Sequence, residues 1–240
     1  MIKASIHQPQ YFPWTSYFEK ILKSDIFVFL DSVQFQKNGL QNRNKIKTPQ
    51  GSMWLTLPVN LAFGQLINEV QINSKKSKIK HLKSIQANYK KTPYFDEIYG
   101  LIDSVLSNDD EYVSSISSEL IIKILQYLDY DGVITYSSLL KIQSKGSQLV
   151  LDICKEINAK QYLSGIGGLK YLVKEDFNNA GIDIYFQKFN LPTYSQYFQN
   201  IGFISNLSII DLLFNEGKNS IDIIKSGQMQ YSNWDQIKQT

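Results

Sequence analysis

The sequence predicts an α/β fold: a mainly parallel central sheet with helices layered on it, and an α-helical annex. Three observations predict it. Short β-prone apolar runs alternate with amphipathic helical patterns along the chain. A complete strand–helix–strand unit fits between residues 3 and 31. Over residues 75–130 the alternation gives way to successive helical patterns, which form the annex.

Lys3 to Ile6 is a short strand that ends at His7, and Pro9 and Pro13 stop further pairing. Trp14, Tyr17, Phe18, Ile21 and Leu22 follow helical spacing, with Thr15 or Ser16 placed to cap. The apolar run DIFVFLD then reads as a buried strand. HQPQYFP therefore lies at the carboxyl end of the first strand, where open α/β sheets hold ligands. Residues 31–51 read as a polar loop rich in amides and turn formers, too long for an idle connector. MWLTLPVN reads as a strand and EVQIN as a short one. Residues 75–91 form a basic helix with Ile79, Leu82, Ile85 and Tyr89 on one face, broken by Pro93. PYFDEIYGLIDSVL and VSSISSELIIKILQYL read as a helical hairpin around NDDE. GVITYSS, SQLVLDICKEI and KQYLSG give a second strand–helix–strand unit. YLVKEDFNNAG reads as a helix closed by Gly181, and IDIYFQKF as a strand. NLSIIDLLFNEG reads as a helix capped by Asn206 and stopped by Gly217. The result is a Rossmann-like layered architecture in one domain, 1–240, without internal repeat or clear linker.

Composition narrows the function classes. The chain is 43% hydrophobic and 20% charged, which excludes wholesale disorder, and its net charge of +3 does not by itself imply nucleic acid. The start lacks a signal-peptide layout and no apolar run spans a membrane, so a cytoplasmic location is expected. The lone Cys154 lies on an apolar helical stripe and reads as core packing. Histidines at 7 and 81 leave no zinc-type spacing, so no metal ligand is assigned. No GxSxG elbow or Cys–His pairing points to a covalent acyl-enzyme. Arg43 is the only arginine; every other fixed cation is lysine. It is either a surface accident or a position that needs the planar guanidinium fork for phosphate or carboxylate.

Four segments carry candidate chemistry. His7, just past the first strand, can transfer protons or bond a phosphate, or it can cap its loop. Gln8 and Gln10 add donors and acceptors, while Tyr11 offers a flat face unless it joins Phe12 and Trp14 in the core. In the polar segment, Asp31 can act as a base, a ribose contact or a metal ligand. Gln34, Lys37, Asn42 and Asn44 suit sugar hydroxyls, and Arg43 and Lys45 suit phosphate. Alternatively the whole segment is a solvated loop tied by its own amides. Ser164, Gly165, Gly167 and Gly168 follow a strand and open a helix, which offers backbone N–H groups to an anion or simply a tight turn. The lysines of 75–91 form a stripe that steers anions or is only solvated, with His81 at the surface or half-buried.

HQPQYFPWTSYFEKI, DIFVFLDSVQFQKN, QNRNKIKTPQG, YLSGIGGLKYL and FISNLSIIDLLFNEG together resemble successive blocks of the WbqC-like family. Ser16 and Ser205 depart from the glycine and proline expected there. Genes of that family are associated with bacterial lipopolysaccharide O-antigen clusters. The resemblance thus implies transfer of an aminoacyl or other N-acyl group to an amino sugar carried on a nucleotide. It also implies a nucleotide sugar or other phosphorylated small molecule as partner, with an acyl or aminoacyl donor, an aminoacyl-tRNA being one form. Two alternatives stay open. One is an adenylate-forming or nucleotidyl-transferring enzyme using ATP with Mg, as in nucleotide-binding α/β folds with a histidine after the first strand. The other is a non-catalytic sugar- or RNA-binding module.

Overall fold

The computed structural model describes residues 1–227 and 231–237. β1 (Lys3–His7), α1 (Thr15–Leu22) and β2 (Ile26–Phe29) form the first unit, with β1 and β2 parallel from Ala4 opposite Ile26 to His7 opposite Phe29. Next come a hairpin of β3 (Arg43–Thr48) and β4 (Gly51–Thr56) and a small ladder of β5 (Val59–Asn60) with β6 (Gln71–Ile72). The annex is α2 (Lys76–Tyr89), α3 (Phe95–Leu106) and α4 (Val113–Tyr127). The chain returns to the sheet through β7 (Val133–Tyr136), α5 (Gly146–Glu156), β8 (Gln161–Ser164), α6 (Lys174–Asn179) and β9 (Asp183–Phe186). It finishes with α7 (Ile209–Glu216), α8 (Ser220–Ser226), β10 (Ser232–Asn233) and α9 (Trp234–Ile237). The six-stranded sheet runs β10-β9-β8-β1-β2-β7, and only β10 is antiparallel.

Side-chain alternation along the strands builds two cores. Phe27 and Phe29 face α1, the hairpin and the annex, in one apolar cluster with Tyr17, Phe18, Ile46 and Ile121. Ala4, Ile6 and Val28 face the other way, against Ile153, Cys154, Phe177 and Phe186. The connection β1–α1–β2 therefore runs over one face, while β7–α5–β8 and β8–α6–β9 run over the other. Right-handed crossovers demand this arrangement when the chain moves first one way from β1 and then the opposite way. The sheet is doubly wound, and the winding reverses between β1 and β8.

Several expectations are corrected. The predicted loop 31–51 contains strand β3, because Asn44, Ile46 and Thr48 turn inward while Arg43 and Lys45 turn outward. Its inward amides hid the period-two pattern. The helix expected directly after Gly168 is a 3-10 turn, Ile166–Lys170, and α6 starts only at Lys174. Ser208, not Asn206, caps α7, accepting from the Ile210 N–H. On α2, Ile79 is exposed, and the buried face is Leu82, Ile85 and Tyr89 with His81. His81 Nδ1 meets Tyr11 Oη at 2.8 Å, and burial lowers its pKa to about 4. It is a neutral bolt between α2 and the first loop.

Asp31 fastens the opposite edge. Its buried carboxylate accepts from Ser137 Oγ at 3.0 Å, Ser138 N at 2.9 Å and Ser138 Oγ at 2.7 Å. Those donors follow β7, so Asp31 ties the end of β2 to the end of β7. The carboxylate reserved for acid–base work is thereby a structural clamp. Asp31→Ala orphans these donors and is expected to cost about 2–4 kcal/mol in urea unfolding. Unchanged stability would return the carboxylate to the list of reactive groups.

Candidate functional site

At the reversal, the carboxyl ends of β1 and β8 present His7 and Ser164. Because Ile6 packs into the second core, His7 points to the α1 side, edge-on to Tyr17 with ring centroids 4.8 Å apart. Its Nδ1 lies 3.0 Å from the Gln8 carbonyl. A carbonyl only accepts, so Nδ1 carries the proton and Nε2 keeps its lone pair. Burial foremost, and then the charge of Lys20, lower the pKa to about 3. His7 is thus a neutral imidazole at physiological pH, with Nε2 as an acceptor.

Across the crevice, Ser164 Oγ donates to the Gly165 carbonyl at 2.9 Å. A Cβ on Gly168 would sit 2.2 Å from that Oγ and 2.8 Å from Leu172 Cδ1, so only glycine lets the turn close. Gly165 and Gly167 have open space where a Cβ would be. The first N–H groups of the 3-10 turn Ile166–Lys170 have no partner within it, which makes the turn a donor surface.

A buried polar group that the sequence did not reveal lies beneath His7. Glu19 and Lys20 are nearly inaccessible on α1. The Glu19 carboxylate accepts from Tyr231 Oη at 2.7 Å and from Gln187 Nε2, and Gln187 follows β9. Lys20 forms no ion pair among the described residues. Burial lowers its pKa to about 7 despite the opposing charge of Glu19. Helical periodicity assigned both residues to the solvent face of α1. Packing from chain segments more than 150 residues away covers them.

The remaining predicted residues separate. Gln8 stays at the crevice, its Oε1 accepting from Gln41 Nε2 at 2.8 Å. Gln10 is buried, with Oε1 unpaired. Tyr11 is wholly buried and offers no stacking face. Asn42 and Asn44 are buried and hold backbone, donating to the carbonyls of Leu57 at 2.8 Å and Phe12 at 2.6 Å. They are hairpin fasteners rather than sugar contacts. Gln34 and Lys37 lie exposed on the loop before the hairpin. Arg43 and Lys45 project over Trp54 of β4, and Arg43 also donates to the Asn38 carbonyl. His7 and Arg43 share no bonding partner. Among the described residues, no group of three or more histidine, cysteine or acidic side chains gathers to hold a metal ion.

Fold and crevice define a class: a doubly wound α/β protein whose ligand position is the switch point between its first and fourth parallel strands. Within that class the chain belongs to the WbqC-like protein family, whose model matches residues 8–223. It is also 30% identical over 229 residues to the uncharacterized protein Rv1507c of Mycobacterium tuberculosis, covering 94% of this chain and 98% of the relative. No solved structure matches. No helix of the described residues is long and apolar enough to cross a membrane.

Lys20 generates a pH prediction. Its folded pKa of about 7 lies below the ordinary lysine value of 10.5, so between them the unfolded chain binds more protons. Stability relative to Lys20→Met is expected to rise as pH increases from about 7 toward 10.5. Urea titrations of both proteins from pH 6 to pH 10 measure it. A pH-independent difference would mean that the ammonium is solvated.

Proposed function

We propose that the protein is a transferase of bacterial surface-polysaccharide (O-antigen) biosynthesis. It binds a nucleotide-linked amino sugar in the β1/β8 crevice and receives an aminoacyl or other N-acyl group onto the sugar amine. The observation carrying this reading is the convergence of His7 and the 164–168 turn at the switch point, where doubly wound sheets take nucleotides. Backbone N–H groups of the turn suit phosphate, and Lys20 supplies positive charge near His7. As the amine attacks the acyl carbonyl its nitrogen loses a proton, and the lone pair on Nε2 is the acceptor for it. The bond to the donor's leaving group breaks with its electron pair. A phosphate close to the imidazole raises its proton affinity, so the base strengthens once substrate is in place. The acid–base role assigned to His7 is kept, without Asp31 as its partner.

A second reading has its own support. Numbered in chain order, the five parallel strands run 3-2-1-4-5, with the histidine after the first and the Ser-Gly turn after the fourth. That order also suits ATP, bound with Mg, in an adenylate-forming or nucleotidyl-transferring enzyme.

Thermal-shift titration and turnover with a nucleotide-linked amino sugar and an activated acyl donor separate the readings. The expected result is ligand stabilisation that His7→Ala largely keeps, with turnover reduced about 10²–10⁴-fold, the span of a lost general base. Magnesium-dependent ATP binding with pyrophosphate release would select the second reading. Unchanged turnover in His7→Ala would remove His7 from the chemistry.

A further inference from the structure

Charge in this chain is strongly segregated. Eleven of its 25 basic side chains, and one of its 22 acidic ones, fall within residues 32–95. The single acid, Glu69, is engaged by the Leu66 N–H at 3.0 Å. Some of the cations are also engaged. Lys47 donates to the Gly202 carbonyl at 2.7 Å, Lys78 is buried on the carbonyls of Asn108 and Asp110, and Lys75 pairs with Asp109 at 2.8 Å. Lys76, Lys80, Lys83, Lys90 and Lys91 remain exposed along α2, without an ion pair among the described residues.

The hairpin adds an aromatic platform. Trp54 is 44% exposed, an unusual place for an indole. The Arg43 guanidinium lies 4.7 Å from its ring centroid and the Lys45 ammonium 5.0 Å. Lys45 is the direct cross-strand partner of Trp54. Arg43 Nε is buried without a hydrogen-bond partner, so this guanidinium retains an unused donor beside the ring. The hairpin and α2 are held side by side: His81 bonds the Thr56 backbone, and the Lys47 N–H donates to Tyr89 Oη at 2.9 Å.

We propose that the β3–β4 hairpin and α2 form a docking surface for single-stranded nucleic acid, on which a base stacks at Trp54 and phosphates meet Arg43, Lys45 and the exposed lysines of α2. An unpaired base brings a π-face for the indole, and the strand brings a phosphate every nucleotide for a row of cations. A duplex hides its bases and leaves the indole unused. An anionic membrane fits less well, because Ile79 is the single exposed large apolar residue on α2. This surface does not rest on the β1/β8 reading.

Fluorescence anisotropy with labelled eight-nucleotide RNA and DNA strands tests the proposal, alongside a duplex of equal length and sedimentation with phosphatidylserine vesicles. Single strands of either chemistry are expected to bind more tightly than the duplex. Trp54→Ala should weaken binding about tenfold or more while Trp54→Phe keeps most of it, as base stacking requires. Arg43→Gln with Lys45→Gln should lower the salt dependence by about one unit of slope. Absence of oligonucleotide binding at low salt, equal affinity for the duplex, an unaffected Trp54→Ala, or binding to vesicles alone would each overturn it.

Discussion

Two parallel neighbours, β1 and β8, send their chains onward over opposite faces of one sheet, and the rest of the molecule depends on this constraint. Because neither connection crosses the gap, the carboxyl ends of the two strands stay uncovered. Small polar side chains let the strands and α1 approach closely. Ser5 Oγ meets Ser24 Oγ at 2.5 Å and donates to the Leu163 carbonyl at 3.3 Å. One hydroxyl thus links β1, the end of α1 and β8, immediately below the position where His7 and Ser164 emerge.

Buried polar groups then set the angles of everything packed around that gap. Asp211 on α7 is buried and accepts from Tyr89 Oη and Tyr194 Oη, each at 2.8 Å. It locks α7 to α2 and to the long segment before α7. Burial raises its pKa, with those hydroxyls and Lys47 acting the other way. Glu19 does the same for α1, Gln187 and Tyr231. Such contacts cost desolvation and return geometric specificity only when every partner is in place. They suit a protein whose crevice must stay open without collapsing.

Much of the sheet was legible because its strands are continuous apolar runs and its helices carry clear apolar stripes. The DIFVFLD strand and the Cys154 helix show this most plainly. Strand β3 was not legible: alternation was present, but the inward residues included Asn44, a polar side chain that satisfies the Phe12 carbonyl. Asn42 was misread for the same reason. An amide that fastens backbone and an amide that awaits a sugar look alike in one dimension. His7 kept its place because a histidine at a strand end is positioned by the strand itself. Lys20 escaped notice because its burial comes from β9 and the chain's last elements, whose arrival no local pattern announces.

The most direct measurement is a crystal structure of the protein soaked with a nucleotide-linked amino sugar. The account places phosphate density on the backbone of Gly165 to Gly168 and the sugar amine within hydrogen-bonding reach of His7 Nε2. Density elsewhere on the molecule, with the β1/β8 gap filled only by solvent, would contradict it.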